Sequence, residues 1–380
     1  MMPPDLVLFG SKLKGYREQF QLTPRELAAS TGIPHTTLAA FEQGKASPSG
    51  DEVLILSDFF KCDYQFFISN EKTGPFEETD LLFRRYGEEF RKEDRWAVQE
   101  FLYLCACEEF LVHELGKRAS TAIPRIPKGS HNRTQGMRAA ASMRKALGYK
   151  PGELQKNIYS DLRKLGIHIF RRRLGNSNIS GLTLKTPHAG NCILINYDED
   201  PYRQRFSAAH EACHVLLDSE EEIIVSLAKN RNSDMEARAN YFASYYLMPP
   251  EIIKSIPSKW SDQEAIRWAN EFQVSAHALS IALRRERLIS PEEQKSLLSV
   301  RVPKNMKRDP ELPPDLTDLV RSRKEHFLER GLSGYYVDLC FDAFEQDMIS
   351  RGRLAEMLLA EPSEITDLAA IFGRRLKHGD

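Results

Sequence analysis

Two histidines four residues apart inside an apolar run constrain this chain more than any other feature. His210-Glu211-Ala212-Cys213-His214 follows the pattern H-E-x-x-H. On an α-helix, residues i and i+4 share a face, so both imidazoles can hold one ion. The flanks suit a buried helix: Phe206, Ala209, Cys213 and Leu217 form a stripe, with Val215 and Leu216 beside it. A catalytic zinc takes three protein ligands and a water, so a third ligand must come from elsewhere. Glu236 is the best candidate. It stands near the start of a helical segment, Ser233 to Met248, that stops at Pro249-Pro250, and it shares a face with Ala239, Asn240, Ala243 and Leu247. Small alanines let another helix come close, and a carboxylate on an inward face needs a partner, because an unpaired buried charge is costly. The residues alone leave a second reading open: Ser233 and Glu236 also match a capping box, in which the carboxylate bonds backbone. Glu211, rotated away from the two imidazoles, can face a water at the ion and serve as general base.

Such a site needs a core to sit in, and the composition supplies one. The chain has 380 residues, 41% of them hydrophobic, enough for two or three domains. Lysine plus arginine number 53 and aspartate plus glutamate 54, so the net charge is −1 and the whole chain is no polycation built for nucleic acid. No apolar run approaches the ~20 residues of a membrane span, so no membrane partner is expected. The start, Met1-Met2-Pro3-Pro4-Asp5, lacks a basic stretch followed by an apolar one, so no signal peptide is expected. Six scattered cysteines, at 62, 105, 107, 192, 213 and 340, form no Cys-x-x-Cys pair. Reduced thiols in a cytoplasm are the expectation.

The first 70 residues follow a helix-turn-helix pattern. Thr23-Pro24-Arg25-Glu26 is a capping box with proline at the first helical position. Gly32 breaks that helix, and a second runs from His35 to Gln43, with Leu38 and Phe41 facing inward and Gly44 ending it. The run LTPRELAASTGIPHTTLAAFEQGKASPS resembles the Cro/repressor-like (XRE-type) helix-turn-helix family. The resemblance implies that His35, Thr36, Thr37 and Ala40 meet base edges in double-stranded DNA, with Lys45 near phosphate. Residues 1–70 hold six basic side chains against eight acidic ones, so any DNA affinity is expected to be modest and sensitive to salt.

A second resemblance is carried by ISGLTLKTPHAGNCILINYDEDPYRQRFSAAHEACHVLLD followed by EARANYFASYYLMP. These runs resemble the ImmA/IrrE family of zinc metallopeptidases, from about Met137 to Ile289, with the LGIHIF strand and the lead-in Arg205-Phe206 included. The resemblance implies Zn2+ held by His210, His214 and Glu236, with Glu211 as general base. It also implies a cytoplasmic protease whose substrate is a partner protein, such as a helix-turn-helix repressor, in a stress, phage or mobile-element response. Where the family usually has Leu-Gly or similar inside the motif, this chain has Ala212-Cys213. Cys213 reads as a small apolar filler beside the metal face in preference to a redox-sensitive thiol.

The expected fold is mainly α (α+β): a helix-turn-helix domain over 1–70, a helical connector over 71–125, a zincin-like peptidase domain with a small β-sheet over 126–300, and a basic linker with a C-terminal helix-turn-helix-like domain over 301–380. The connector breaks at a turn-rich stretch, 70–75, and ends near a Pro/Gly/Ser stretch, 122–130. Gly166–Phe170 alternates as a strand, and Cys192–Asn196 is a short apolar strand expected to offer its edge to an extended peptide. Arg171-Arg172-Arg173 reads as a solvated strand end, His277 as structural, His168 as a strand residue and His188 as a turn residue. The function expected is a zinc-dependent endopeptidase with a regulatory, DNA-associated domain, for which a homodimer is also compatible. The rival is a DNA-binding transcriptional regulator or antitoxin whose peptidase-like domain is a sensor.

Overall fold

The computed structural model describes residues 5–62, 64–70, 77–119, 121–127, 131–227, 233–256 and 260–374. The turn-rich stretch at 70–75 lies, apart from Asn70, outside them, as do residues 128–130 of the second linker. The described fold is mainly helical with one small mixed sheet, and the chain divides into two compact units between Leu104 and Cys105. No described helix is long and apolar enough to cross a membrane.

The first unit begins with α1 (Leu6–Gln19), α2 (Pro24–Thr31), α3 (His35–Glu42), α4 (Gly50–Phe60) and α5 (Tyr64–Ile68). The expected capping box forms: Thr23 accepts from the Glu26 N–H while the Glu26 carboxylate returns to the Thr23 N–H. Gly32 closes α2 in the left-handed region at φ 72°. Leu38 and Phe41 of α3 are buried with Phe9, Leu13, Phe20, Leu27, Leu56 and Phe60. α1 crosses α3 closely because position 10 is glycine; a Cβ there would lie 2.3 Å from the Phe41 carbonyl oxygen. Two further helices follow, α6 (Glu77–Tyr86) and α7 (Lys92–Glu114). On the first half of α7, Trp96 stacks on Phe20 at 4.2 Å, and Arg95 donates to the Gln19 carbonyl at 2.6 Å.

The second unit holds the last turns of α7 and then α8 (Asn132–Ala146) and α9 (Ile158–Lys164). Four strands follow, β1 (His168–Arg172), β2 (Ile179–Thr186), β3 (Gly190–Asn196) and β4 (Ile223–Leu227), in the order β1-β3-β2-β4. β1 runs parallel to β3; β2 is antiparallel to both β3 and β4. This order overturns the expectation for Cys192–Asn196. That strand is interior, paired on both sides, and cannot offer an edge; the outer strands are β1, which bridges to Arg330, and β4. Between β3 and β4 the chain forms α10 (Pro201–Leu217), and after β4 it continues into α11 (Asp234–Leu247), α12 (Pro250–Ile253), α13 (Asp262–Phe272), α14 (Ala276–Arg285) and α15 (Pro291–Leu297). α10 lies against β2 and β3, and α11 packs on α10 and α8.

The chain ends in α16 (Asp318–Glu329), α17 (Gly334–Glu345), α18 (Arg351–Met357) and α19 (Ile365–Ile371). This segment covers β1, so β1 is buried along its whole length and does not alternate between core and solvent. Phe170 meets Tyr336 edge to face at 5.4 Å. The triple arginine is therefore no solvated strand end. Arg171 is buried and pairs with Asp309 at 2.6 Å; Arg172 is buried and donates to the Arg330 carbonyl at 2.9 Å. Only Arg173 is exposed, between Asp198 and Glu329. The arginines hold the C-terminal segment on the sheet. Tyr336, within α17, donates its hydroxyl to the Met357 carbonyl at 2.9 Å, tying α17 to α18.

All six thiols are free. His168, on β1, sits in a buried ionic cluster. Its Nδ1 lies 2.8 Å from Glu108 Oε1 and its Nε2 lies 3.3 Å from Glu109 Oε2, both on α7. Burial opposes the imidazolium, but the two carboxylates, with Cys192 nearby on β3, hold its pKa up at about 10. The folded value is above that of a free imidazole, about 6.5. The stabilisation is therefore full below about pH 6.5 and is lost as pH rises toward about 10. Urea midpoints should fall across that window, and His168→Gln should flatten the fall. Equal pH slopes for parent and variant would remove His168 from the linkage.

Candidate metal centre

α10 starts where its sequence says it should. Asp200 caps the Tyr202 N–H and Pro201 occupies the first turn. The helix is buried from Ser207 through Leu216 because a sheet lies under it and α11 beside it. His210 and His214 project from one face, with their Nε2 atoms 3.2 Å apart. Glu236, in the first turn of α11, reaches the same point. Its Oε2 is 3.1 Å from His210 Nε2, and its Oε1 is 3.6 Å from His214 Nε2. Three ligands at ~2.0–2.1 Å from a tetrahedral zinc stand about 3.3 Å apart, so the cluster has the spacing such an ion needs. Among the described residues this is the one group of three or more metal-ligating side chains whose ligand atoms all lie within 4.8 Å of one another.

The capping reading of Glu236 is half met. Ser233 accepts from the Glu236 N–H at 3.2 Å, but the carboxylate turns to the histidines. The outer imidazole nitrogens are held as well. His210 Nδ1 lies 3.1 Å from Asn240 Oδ1, one turn along α11 from Glu236. His214 Nδ1 lies 2.8 Å from Asp218 Oδ2, and Asp218 is in turn gripped by Arg238 of α11. These contacts put a donor hydrogen on each Nδ1 and leave each Nε2 lone pair facing Glu236. Burial raises the Asp218 pKa, but His214 and Arg238 more than offset this, and Asp218 is held below the usual carboxylate range.

Glu211 is fully buried yet does not join the three. Thr183 of β2 donates to its Oε2 at 2.7 Å, while its Oε1 has no partner among the described residues. Room for the carboxylate comes from Gly181, at an irregular register of β2 with β4; a Cβ there would lie 3.0 Å from Glu211 Oε1. Glu211 and Glu236 are thus two buried carboxylates with no lysine or arginine paired to them among the described residues. A bound cation relieves that cost directly. His210 reflects the same field: burial lowers its pKa, but Glu236 and Glu211 outweigh burial and raise it. The donor set therefore fits a divalent ion.

The centre opens into a cleft of about 1240 Å³, whose walls include Phe206, Ser226, Leu227, Tyr241, Ile281 and Arg285. Cys213 lies in the core behind the cluster, fully buried, with burial pushing its thiol pKa up. His277 is exposed on the cleft wall and His188 is exposed in a turn; neither joins the cluster. Asp218, Arg238 and Thr183 escaped the sequence reading, which put Asn240 on the inward face of α11 without giving it a role. Asp218 follows His214 by four residues and could have been found by helical spacing; Thr183 depends on strand placement and could not.

In the first unit, His35 and Thr36 are exposed on the first turn of α3, Thr37 and Ala40 are half-buried behind them, and Lys45 is exposed just past the helix. Glu42 faces inward to Arg17 at 2.6 Å, which ties α3 to α1. Of the basic residues, Lys12 is buried on backbone carbonyls, Arg17, Lys14 and Lys61 are ion-paired, and Arg25 and Lys45 remain exposed without an ion pair among the described residues.

Residues 13–67 match a helix-turn-helix domain, and residues 162–284 match the IrrE N-terminal-like domain of peptidase family M78. The second match is narrower than the resemblance read from the sequence and still contains β1–β4, α10, α11 and all four residues His210, Glu211, His214 and Glu236. Among curated proteins, none matches the chain. The chain carries an XRE-type helix-turn-helix domain and, after it, an M78 peptidase-type domain of the ImmA/IrrE family.

Proposed function

We propose that this protein is a zinc-dependent endopeptidase that cleaves a partner protein, with a regulatory DNA-binding domain in front. The observation that carries this reading is Glu211, a buried carboxylate with one oxygen held by Thr183 and the other unpartnered beside the His210–His214–Glu236 set. A sensor domain that only bound metal would have no use for that free oxygen.

His210, His214 and Glu236 hold the zinc. When bound, zinc supplies a Lewis acid that acidifies water and polarises a carbonyl. Asn240 and Asp218 fix the two imidazoles so that both Nε2 atoms stay aimed inward. Thr183 keeps Glu211 from rotating, and Glu211 Oε1 takes the proton of the attacking water and returns it to the leaving amine. An extended substrate pairs with the edge of β4, whose Ser226 and Leu227 line the cleft. A helix-turn-helix repressor is the substrate favoured by the family resemblance.

Elemental analysis should find about one zinc per chain. Glu236→Ala should lose it, and full occupancy in that variant would remove Glu236 from the site. Glu211→Gln should keep zinc and fold while losing cleavage by roughly 10²–10⁴-fold. The assay is termini mapping by mass spectrometry on a proteome-derived peptide library and on co-expressed small repressors. Equal cleavage by the variant removes Glu211 as base. No new termini with the zinc-loaded parent, together with a transcriptional response, would favour the regulator. For the amino-terminal domain, two free cations should give a slope of log K against log salt near −2 on duplex DNA. Replacing His35 and Thr36 should relax sequence choice more than it lowers non-specific affinity. A slope near zero would sink the DNA assignment.

A further inference from the structure

The cleft is electrically lopsided. Its metal end carries Glu211 and Glu236, and the wall built by the end of α14 and the segment beyond carries Arg284, Arg285, Arg287 and Arg301; the other lining cations, Arg203 and Lys307, are paired to Glu199 and Asp200. Arg284 and Arg287 are exposed and have no ion-pair partner among the described residues. Arg301 spends its guanidinium on the Leu298 and Val300 carbonyls and also meets no carboxylate there.

Arg285 is different in kind. Its side chain is only 8% exposed. Nη1 donates to Ser244 Oγ at 2.7 Å, the guanidinium lies 3.9 Å from the Tyr245 ring centre, and Nε meets Glu286 at 3.2 Å. Nη2 is buried and has no partner among the described residues. Glu286 does not neutralise it, because Arg133 at 3.7 Å and Lys254 at 3.6 Å share that one carboxylate. Arg285 lines the cleft, and its guanidinium, rigidly held in excess positive charge with an unused donor just beneath the surface, is suited to receive a carboxylate.

We propose that this wall selects an acidic side chain of the bound polypeptide, with Arg285 as the specificity-determining residue that receives its carboxylate. The proposal rests on the peptidase reading of the same cleft. Its position follows from α11. Glu236, Asn240 and Ser244 lie at successive four-residue steps on one face, so Ser244 stands about 12 Å along the helix from Glu236. An extended peptide advances ~3.3 Å per residue, which places the selected Asp or Glu about three to four residues from the scissile bond.

The test uses full-length, zinc-loaded Glu211→Gln, which should bind without cutting. Fluorescence anisotropy compares three labelled twelve-residue peptide pools that carry Glu, Gln or Lys at one fixed position. The Glu pool should bind about tenfold or more tighter than the Gln pool at low salt, with the Lys pool weakest. Arg285→Gln should erase the difference, and Arg285→Lys should restore part of it. Should Arg285→Gln fail to fold, the exposed pair Arg284→Gln and Arg287→Gln carries the test and should cut the preference several-fold. Equal binding of Glu and Gln pools, no binding of either, or a preference untouched in these variants overturns the proposal. Competition by millimolar inorganic phosphate equal to that by unlabelled Glu peptide also overturns it, because the site would then be a general anion site. Acidic preference without cleavage by the zinc-loaded parent leaves the acidic site standing and removes the peptidase reading; cleavage without acidic preference does the reverse.

Discussion

The close packing of α10 on α11 is the contact on which the second unit turns. Ala208, Ala209 and Ala212 on α10 and Ala239 and Ala243 on α11 are all fully buried. These alanines keep the core around both helices tight, and the helices pack closely enough for one carboxylate to reach two imidazoles. α8 backs α11 in the same manner, since a Cβ at Gly136 would lie 2.7 Å from the Arg238 carbonyl oxygen. Larger side chains at these positions would separate the helices, and a separation of an ångström or two would take Glu236 out of reach of His210 and His214. The site is therefore a product of small residues more than of the polar ones that mark it.

What could be read from the sequence was local. The H-E-x-x-H spacing, the capping box at Thr23, the glycine stop at Gly32 and the proline stop after Met248 each act within a turn or two, and helices form where they point. Glu236 could be placed because its helix announced its inward face with alanines. The misreadings were non-local. Cys192–Asn196 is apolar because strands lie on both sides of it, not because it borders a groove. Arg171 and Arg172 looked solvated because their partners, Asp309 and the Arg330 carbonyl, stand well over a hundred residues away. β4 went unread because five residues among acidic neighbours give no period to count. Thr183 became visible only once the strand order put β2 under α10.

The buried charges explain why the centre is wrapped so completely. Two carboxylates in a helix interface cost free energy unless something positive meets them. The protein itself supplies only imidazoles there, and it reserves Arg238 for Asp218, one step back from the cluster. Placing the arginine at that distance orients His214 without cancelling the negative charge that draws a cation. Metal binding would then stabilise the folded chain in proportion to its affinity, because the unfolded chain has no assembled site to compete.

The same separation of charge runs along the cleft. Glu211 and Glu236 line the cleft at the metal cluster, and Arg284, Arg285 and Arg287 line it at the end of α14, while Arg203 and Lys307 are paired to Glu199 and Asp200. A polypeptide entering such a cleft meets opposite fields at its two ends, and an acidic residue is repelled at one and held at the other. Selectivity of this kind needs no deep side-chain pocket. It needs a rigid guanidinium at a fixed distance from the metal-facing carboxylates, and α11 provides the ruler by holding Glu236 at one end of its face and Ser244, the anchor of Arg285, at the other.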